Sequence, residues 1–298
     1  MTPWNHRLEY RALCFVVNIC RGLSPASVVR LGRFLGLFSY YFVPIRKKTA
    51  LKNLALAFPE KTLRERKCIL RRTFANFGQT FFEFLRTPFR PKSELADRIL
   101  FINRRLLFEA DRNGKGALLL TGHFGNWEIM AAAIASLGFP IMAIGKRQKN
   151  RLVDLLINDF RRTQNIETIP LGMSVRQFLR ALRENKFVAL LADQDAHREG
   201  VFVDFFGIPS ATAPGVAQLA LKTGAPIIFG TCTLLPKGRY RVLLETVPAD
   251  DLDPRDENSI VELTQRHARL LESHIRRHPD HWFWMHRRWK TKPPVQSG

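Results

Sequence analysis

Apolar residues recur every third or fourth position through roughly the first 90 residues, and the texture then shortens. Residues 24–42, "SPASVVRLGRFLGLFSYYF", predict a helix with Ser24 as cap and Pro25 in the first turn. Residues 61–88, "KTLRERKCILRRTFANFGQTFFEFLRTP", predict a second, stopped by Pro88. From 116 onward, short apolar runs bounded by glycine or proline alternate with amphipathic stretches. "GALLLTG" (116–122), "PIMAIG", "FVALLA" (187–192), "PIIFGTCTLL" and "RYRVLLETV" predict strands. "NWEIMAAAIASLG", "RLVDLLINDFRRTQN", "SVRQFLRALREN" and "APGVAQLALKTG" predict the helices between them, and a long helix covers about 258–278. This order predicts an α/β fold, a mostly parallel central sheet wrapped by helices. The division is a helical region over 1–90 and an α/β domain over 91–298. The tail beyond Lys292, rich in Pro, Ser and Gly, is expected to be mobile.

Charge adds a partner class. The chain has 298 residues, 46% of them hydrophobic, and 47 Lys+Arg against 26 Asp+Glu give a net charge of +21. An anionic partner is expected: an acidic protein, an anionic membrane or nucleic acid. The apolar stretches at 12–20 and 34–45 are flanked by Arg21, Arg30 and Arg33, and neither reaches the roughly 20 apolar residues of a membrane span. With Arg46, Lys47 and Lys48 behind them, they suit a segment lying in the interface of an anionic leaflet. No cleavable signal peptide is expected. Cys14, Cys20, Cys68 and Cys232 lack metal or disulfide spacing and are expected as free thiols of a reducing compartment. Trp282, Trp284 and Trp289, interleaved with Arg287, Arg288 and Lys290, suit a membrane-interface belt or stacking on single-stranded nucleic acid. No nucleic-acid fold motif supports the latter. His274, His278 and His281 read as surface histidines, and no metal site is expected.

The candidate chemistry lies in "LLLTGHFGNWE" (118–128). His123 falls where a strand ends and a helix begins, a usual ligand crevice in α/β folds. Gly122 and Gly125 allow a tight turn, Asn126 is a cap, and Glu128 falls in the first helical turn. A loop there can fold the imidazole over Glu128, whose carboxylate would fix the tautomer and stabilise the imidazolium. His123 would then take a proton directly from a substrate hydroxyl. Backbone N–H groups near Gly122 or Gly125, or a basic side chain, would hold the oxyanion.

"HFGNWE" resembles the H-x4-[D/E] motif of glycerolipid-type acyltransferases, in the form carried by bacterial lipid A biosynthesis acyltransferases. "NLALAFPEKT", "DQDAHREGVFVDFFG" (193–207), "ATAPGVAQLALKTGAPII" and "HWFWMHRRWKTKP" resemble the family's other segments in order. The resemblance implies transfer of a fatty acyl chain from acyl carrier protein to a hydroxyl of a phosphorylated lipid A precursor of the Kdo-lipid IVA type. The reaction would run at the cytoplasmic face of the inner membrane and need no cofactor. It implies His123 as general base and Glu128 as its partner. Arg162 would sit at a functional arginine position, with Arg161 as its competitor. Asp193 would be the first aspartate of D-Q-D, positioning the loop or pairing an arginine. Phe205, Phe206 and Gly207 are expected to line an acyl groove, and Asn126 to contact substrate. "AHRE" before Gly200 departs from the family pattern and makes that loop bulkier and more basic. The alternatives are the same chemistry on another glycolipid or phospholipid, such as a phosphatidylinositol mannoside, or a non-enzymatic protein binding membrane or nucleic acid.

Overall fold

The computed structural model describes residues 3–294 except 45, 171, 173 and 174. The chain runs α1 (Trp4–Arg21), α2 (Pro25–Phe42), α3 (Lys47–Ala57), α4 (Leu63–Arg86), α5 (Lys92–Arg98), β1 (Ile99–Ile102), α6 (Arg105–Arg112) and β2 (Ala117–Thr121). It continues with α7 (Trp127–Ser136), β3 (Ile141–Gly145), α8 (Arg151–Arg162), β4 (Ile166–Pro170), α9 (Val175–Arg183), β5 (Phe187–Leu191), β6 (Val201–Asp204) and β7 (Pro209–Thr212). The remainder is α10 (Gly215–Thr223), β8 (Ile227–Leu234), β9 (Tyr240–Val247) and α11 (Glu257–Arg277). The expected α/β class is what forms. The mobile-tail expectation falls chiefly on residues 295–298, outside the described residues.

Seven strands make one sheet in the order β1-β9-β8-β2-β5-β3-β4, and β6 and β7 form a separate hairpin. Within the large sheet only β8 and β9 pair antiparallel. β2 lies at the centre and is buried along its whole length, which explains its unbroken "ALLLT". Helices cover both faces. α7 packs Ile129, Met130 and Ile134 on one side. On the other side lie Leu263, Leu271 and Ile275 of α11 with Trp282, Trp284 and Trp289.

The first four helices form a layer of their own. Thr62 closes a capping box with Glu65 at the start of α4. α2 crosses α4 where glycines remove the side chains: a Cβ on Gly36 would lie 2.2 Å from the Phe74 carbonyl oxygen. Val17, Cys20 and Val28 pack with Phe82, Leu85 and Phe160, so α1 and α2 rest on α4 and α8. Their outer faces keep Trp4, Leu8, Phe15 and Ile19 on α1, and Phe34, Phe38, Tyr41 and Phe42 on α2, exposed. Among the described residues no single helix is long and apolar enough to cross a membrane; the bent pair α2 and α3 passes by length and composition together.

The C-terminal signature differs from its expectation. Trp282, Trp284 and Trp289 form no interface belt, being 1%, 0% and 6% exposed. They bed against Phe205, Phe206 and Phe58. Arg288 is buried with them and donates to the carbonyls of Ala211 and Gln194. His274 is likewise buried, against Glu245, rather than at the surface. All four cysteines are free thiols, with Cys20 and Cys232 buried.

Candidate active site

Two neighbouring parallel strands deliver the site. β2 and β5 end level with each other, Thr121 opposite Leu191. His123 and Asp193 each follow two residues later, and the chain turns away from the sheet at both. The crevice at the carboxyl ends of parallel strands therefore holds an imidazole beside a carboxylate.

Their contact is tight. His123 Nδ1 lies 2.8 Å from Asp193 Oδ1, and the His123 backbone N–H donates to Asp193 Oδ2 at 2.8 Å. The Trp282 indole N–H donates to the same oxygen at 2.8 Å. Asp193 is thus held by three donors, and the ring is fixed with its proton on Nδ1. Nε2 then points outward, with the exposed Gln194 amide 3.5 Å away. Trp127 meets the imidazole edge-on at 5.2 Å, and Phe283 lies at 6.2 Å.

The carboxylate orienting His123 is therefore Asp193, and the expectation that Glu128 does so differs from the geometry. Glu128 turns to Arg161, which grips it through Nη2 at 2.6 Å and Nε at 3.2 Å. In the first turn of α7 its carboxylate faces α8, while Nδ1 faces Asp193 after β5. Glu128 acts on His123 only through its charge. Arg162 is exposed and pairs with Asp159 of its own helix. The arginine of the site is Arg161, the competitor position. Periodicity held that signal: Asp154, Ile157, Asn158 and Arg161 share one face of α8, and Arg162 is a hundred degrees around.

Other expected site residues lie away from the mouth. Asn126 is 2% exposed; its Oδ1 caps α7 at the Ile129 N–H, and its Nδ2 reaches Glu83. Glu83 is itself buried and takes bonds from Tyr240, Gln79 and Arg98. This network behind the loop carried no sequence signal. Phe205 and Phe206 are core residues packed under the C-terminal tryptophans, and Gly207 is in an exposed turn with φ of 73°. Phe205 borders a small space shared with Asp193, His267 and Arg288, and none of Phe205, Phe206 and Gly207 lines the larger apolar cavity.

The apolar space lies elsewhere. A cavity with about 60 Å³ of free volume runs between α7 and the sheet, lined by Leu119, Met130, Ala131, Ala143, Ala189 and Gly230 among others. Thr121, Trp127, Glu128 and Arg161 stand at its rim, flanking His123 in sequence or space.

From His123 to Asn126 every backbone N–H is already bonded. His123 N–H goes to Asp193, Phe124 N–H to Gly122, Gly125 N–H to His281 and Asn126 N–H to Cys232. An oxyanion hole at Gly125 is thereby excluded. Gly125 instead lets the loop lie against β8. With φ of 60° and a Cβ position 1.8 Å from the Cys232 carbonyl oxygen, only glycine fits.

Electrostatics favour a strong base. Burial alone would push His123 down, but the Asp193 charge and hydrogen bond, helped by Glu128, raise its pKa above the ordinary 6.5. Burial would push Asp193 up, yet His123 and the two N–H donors lower it to about 2. A base must be neutral to act. The acidic limb of the kcat/KM–pH profile is therefore expected above pH 6.5, with activity rising as His123 loses its proton. A limb at or below that value would contradict the assignment.

Comparisons with known proteins give the family. The family described as "Bacterial lipid A biosynthesis acyltransferase" matches residues 8–291. The chain belongs to that family. It is 27% identical to the lipid A biosynthesis palmitoleoyltransferase of Escherichia coli over 294 residues, 98% of this chain and 89% of the relative. To the E. coli lipid A biosynthesis myristoyltransferase it is 26% identical over 98% of this chain and 88% of the relative. A phosphatidylinositol mannoside acyltransferase of Mycobacterium tuberculosis is 28% identical over 72% of this chain and 68% of its own length. The family supports acyl transfer in lipid A biosynthesis as the activity.

Proposed function

We propose that the protein transfers a fatty acyl chain from acyl carrier protein to a hydroxyl of a phosphorylated lipid A precursor of the Kdo-lipid IVA type. The observation that carries the reading is a histidine whose Nδ1 is tied to a buried carboxylate and whose Nε2 faces outward, met by the exposed Gln194 amide at 3.5 Å, beside an apolar cavity. The acceptor hydroxyl gives its proton to Nε2 as its oxygen attacks the thioester carbonyl. The tetrahedral intermediate collapses, the C–S bond breaks, and the imidazolium returns the proton to the departing thiolate. Asp193 steadies the imidazolium throughout. With the N–H groups of 123–126 occupied, the oxyanion falls to the cationic rim, where Arg161 Nη1 carries no bond to Glu128. The acyl chain lies in the cavity beneath α7. No cofactor or metal enters this scheme.

The net charge of +21 suits all three anions of the reaction: the acidic carrier, the phosphorylated glycolipid acceptor and the inner-membrane lipids. The exposed aromatic and aliphatic residues of α1 and α2, with Arg46 and Lys48 exposed beyond them, support docking on the cytoplasmic face of the inner membrane. The mannoside-acylating relative favours a second reading, the same chemistry on another glycolipid. Nucleic acid is not proposed, since the tryptophans that would stack on bases are buried.

Purified protein is expected to add one acyl chain to lipid A precursor when given acyl carrier protein thioesters, read as a mass increase. Transfer only to components of a total glycolipid extract would move the acceptor to the second reading. Transfer to neither would refute the proposal.

A further inference from the structure

The cavity owes its existence to small residues placed side by side. Ala143 on β3 pairs with Ala189 on β5, which pairs with Leu119 on β2. Gly230 on β8 and Ala131 on α7 line the same space. Large side chains at these positions would fill the space between α7 and the sheet. A Cβ on Gly230 would stand 2.7 Å from Met130 Sδ, so Met130 already leans into the room the glycine leaves.

The strand register orders the cavity in depth. α7 starts at the rim with Trp127 and Glu128 and runs down the sheet, so Ile134 lies two turns below. Ile166 opens β4 and pairs with Ile141, which is level with Phe187 and so with Ala117 at the start of β2. From Thr121 at the rim to the level of Ala117 is four strand residues, ~13 Å. Ile134 and Ile166 both line the lower end. At the level of Ala117, Phe139 stacks on Phe187 with ring centroids 5.0 Å apart, in the same apolar cluster as Ile134 and Ile166.

We infer that Ile134 and Ile166 gauge the length of the transferred chain, their side chains meeting its terminal methyl, while Ala143 and Ala189 keep its path open. This inference rests on the acyl-transfer reading and names what selects among donors. One methylene too many at a closed apolar floor is rejected by about 10-fold or more. Truncating the floor admits longer chains, and filling the path admits only shorter ones.

The experiment competes saturated acyl thioesters of increasing length on the purified protein, with product masses read out, for wild type, Ile166→Ala, the milder Ile166→Val, and Ala189→Val. Ile166→Ala is expected to raise the share of longer chains by about 10-fold over wild type, Ile166→Val less, and Ala189→Val to shift it towards shorter ones. Thermal stabilisation by the matching series of free saturated fatty acids gives a readout that needs no turnover, and its optimum length should move in the same directions. Active variants with the wild-type length profile would overturn the gauge while leaving the acyltransferase reading intact. A fatty-acid optimum that moves as expected, with no transfer to any acceptor, would keep the gauge and refute the reaction. Stabilisation independent of length in every protein would overturn the gauge.

Discussion

His123→Ala is expected to lower kcat by ~10²–10⁴-fold, the usual worth of a positioned general base. The loss should appear in kcat, because His123 lines none of the cavity that would hold the acyl chain. The fold should survive. The His123 side chain is 26% exposed, and alanine keeps the backbone N–H that donates to Asp193. Trp282 also keeps its bond, so the buried carboxylate retains two of its three donors. Asp193 loses the partner whose charge does most to depress its pKa, which will climb from about 2 towards the ordinary carboxylate range. Single-turnover acyl transfer with a melting curve on the same sample checks both halves. Wild-type turnover from folded protein would remove His123 from the chemistry.

The fold was legible where pattern and position coincide. "GALLLTG" and "FVALLA" are apolar and glycine- or alanine-bounded because β2 and β5 are interior strands, and Asn126 caps α7 as its sequence context suggested. Missed elements are those whose signal is short. β1 has only four residues at a sheet edge with alternating burial, and the β6–β7 hairpin spans just 12 residues. The site was half legible. His123 stood out through its strand-end glycines, but its partner could not, since 70 residues separate His123 from Asp193. They meet only because β5 inserts between β2 and β3, and strand order is not written in local pattern. The tryptophans misled for a related reason. Alternating Trp and cations look the same whether they face lipid or fold inward. The fold buries them because Phe58, Phe205 and Phe206 supply a bed for the rings, and backbone carbonyls and Thr212 take the Nη1 and Nη2 donors of Arg288. With Arg161 and Arg162, two adjacent cations on α8 were indistinguishable by type and separable only by face.

Asp193→Asn against Glu128→Gln decides which carboxylate serves the histidine. Asparagine at 193 is nearly isosteric, but its amide can present an N–H to Nδ1. The ring would then carry its proton on Nε2, the atom that must accept one. A buried aspartate behind a catalytic histidine elsewhere costs about 10⁴ in kcat when so replaced, and a comparable loss of ~10³–10⁴-fold is expected here. The surviving activity should also show its acidic limb at lower pH, because the Asp193 charge is the chief influence raising the His123 pKa. Glu128→Gln leaves the Nδ1 contact untouched. It frees Arg161 from a half-buried pair and removes the smaller of the two charges raising His123. Its limb should therefore move down less, and its kcat should fall by less than in Asp193→Asn, since no oxyanion donor is removed. The order of the two losses carries the conclusion. If Glu128→Gln proves the more damaging, the glutamate of the H-x4-E motif must swing from Arg161 to the histidine during turnover, and Asp193 would be left holding the loop alone.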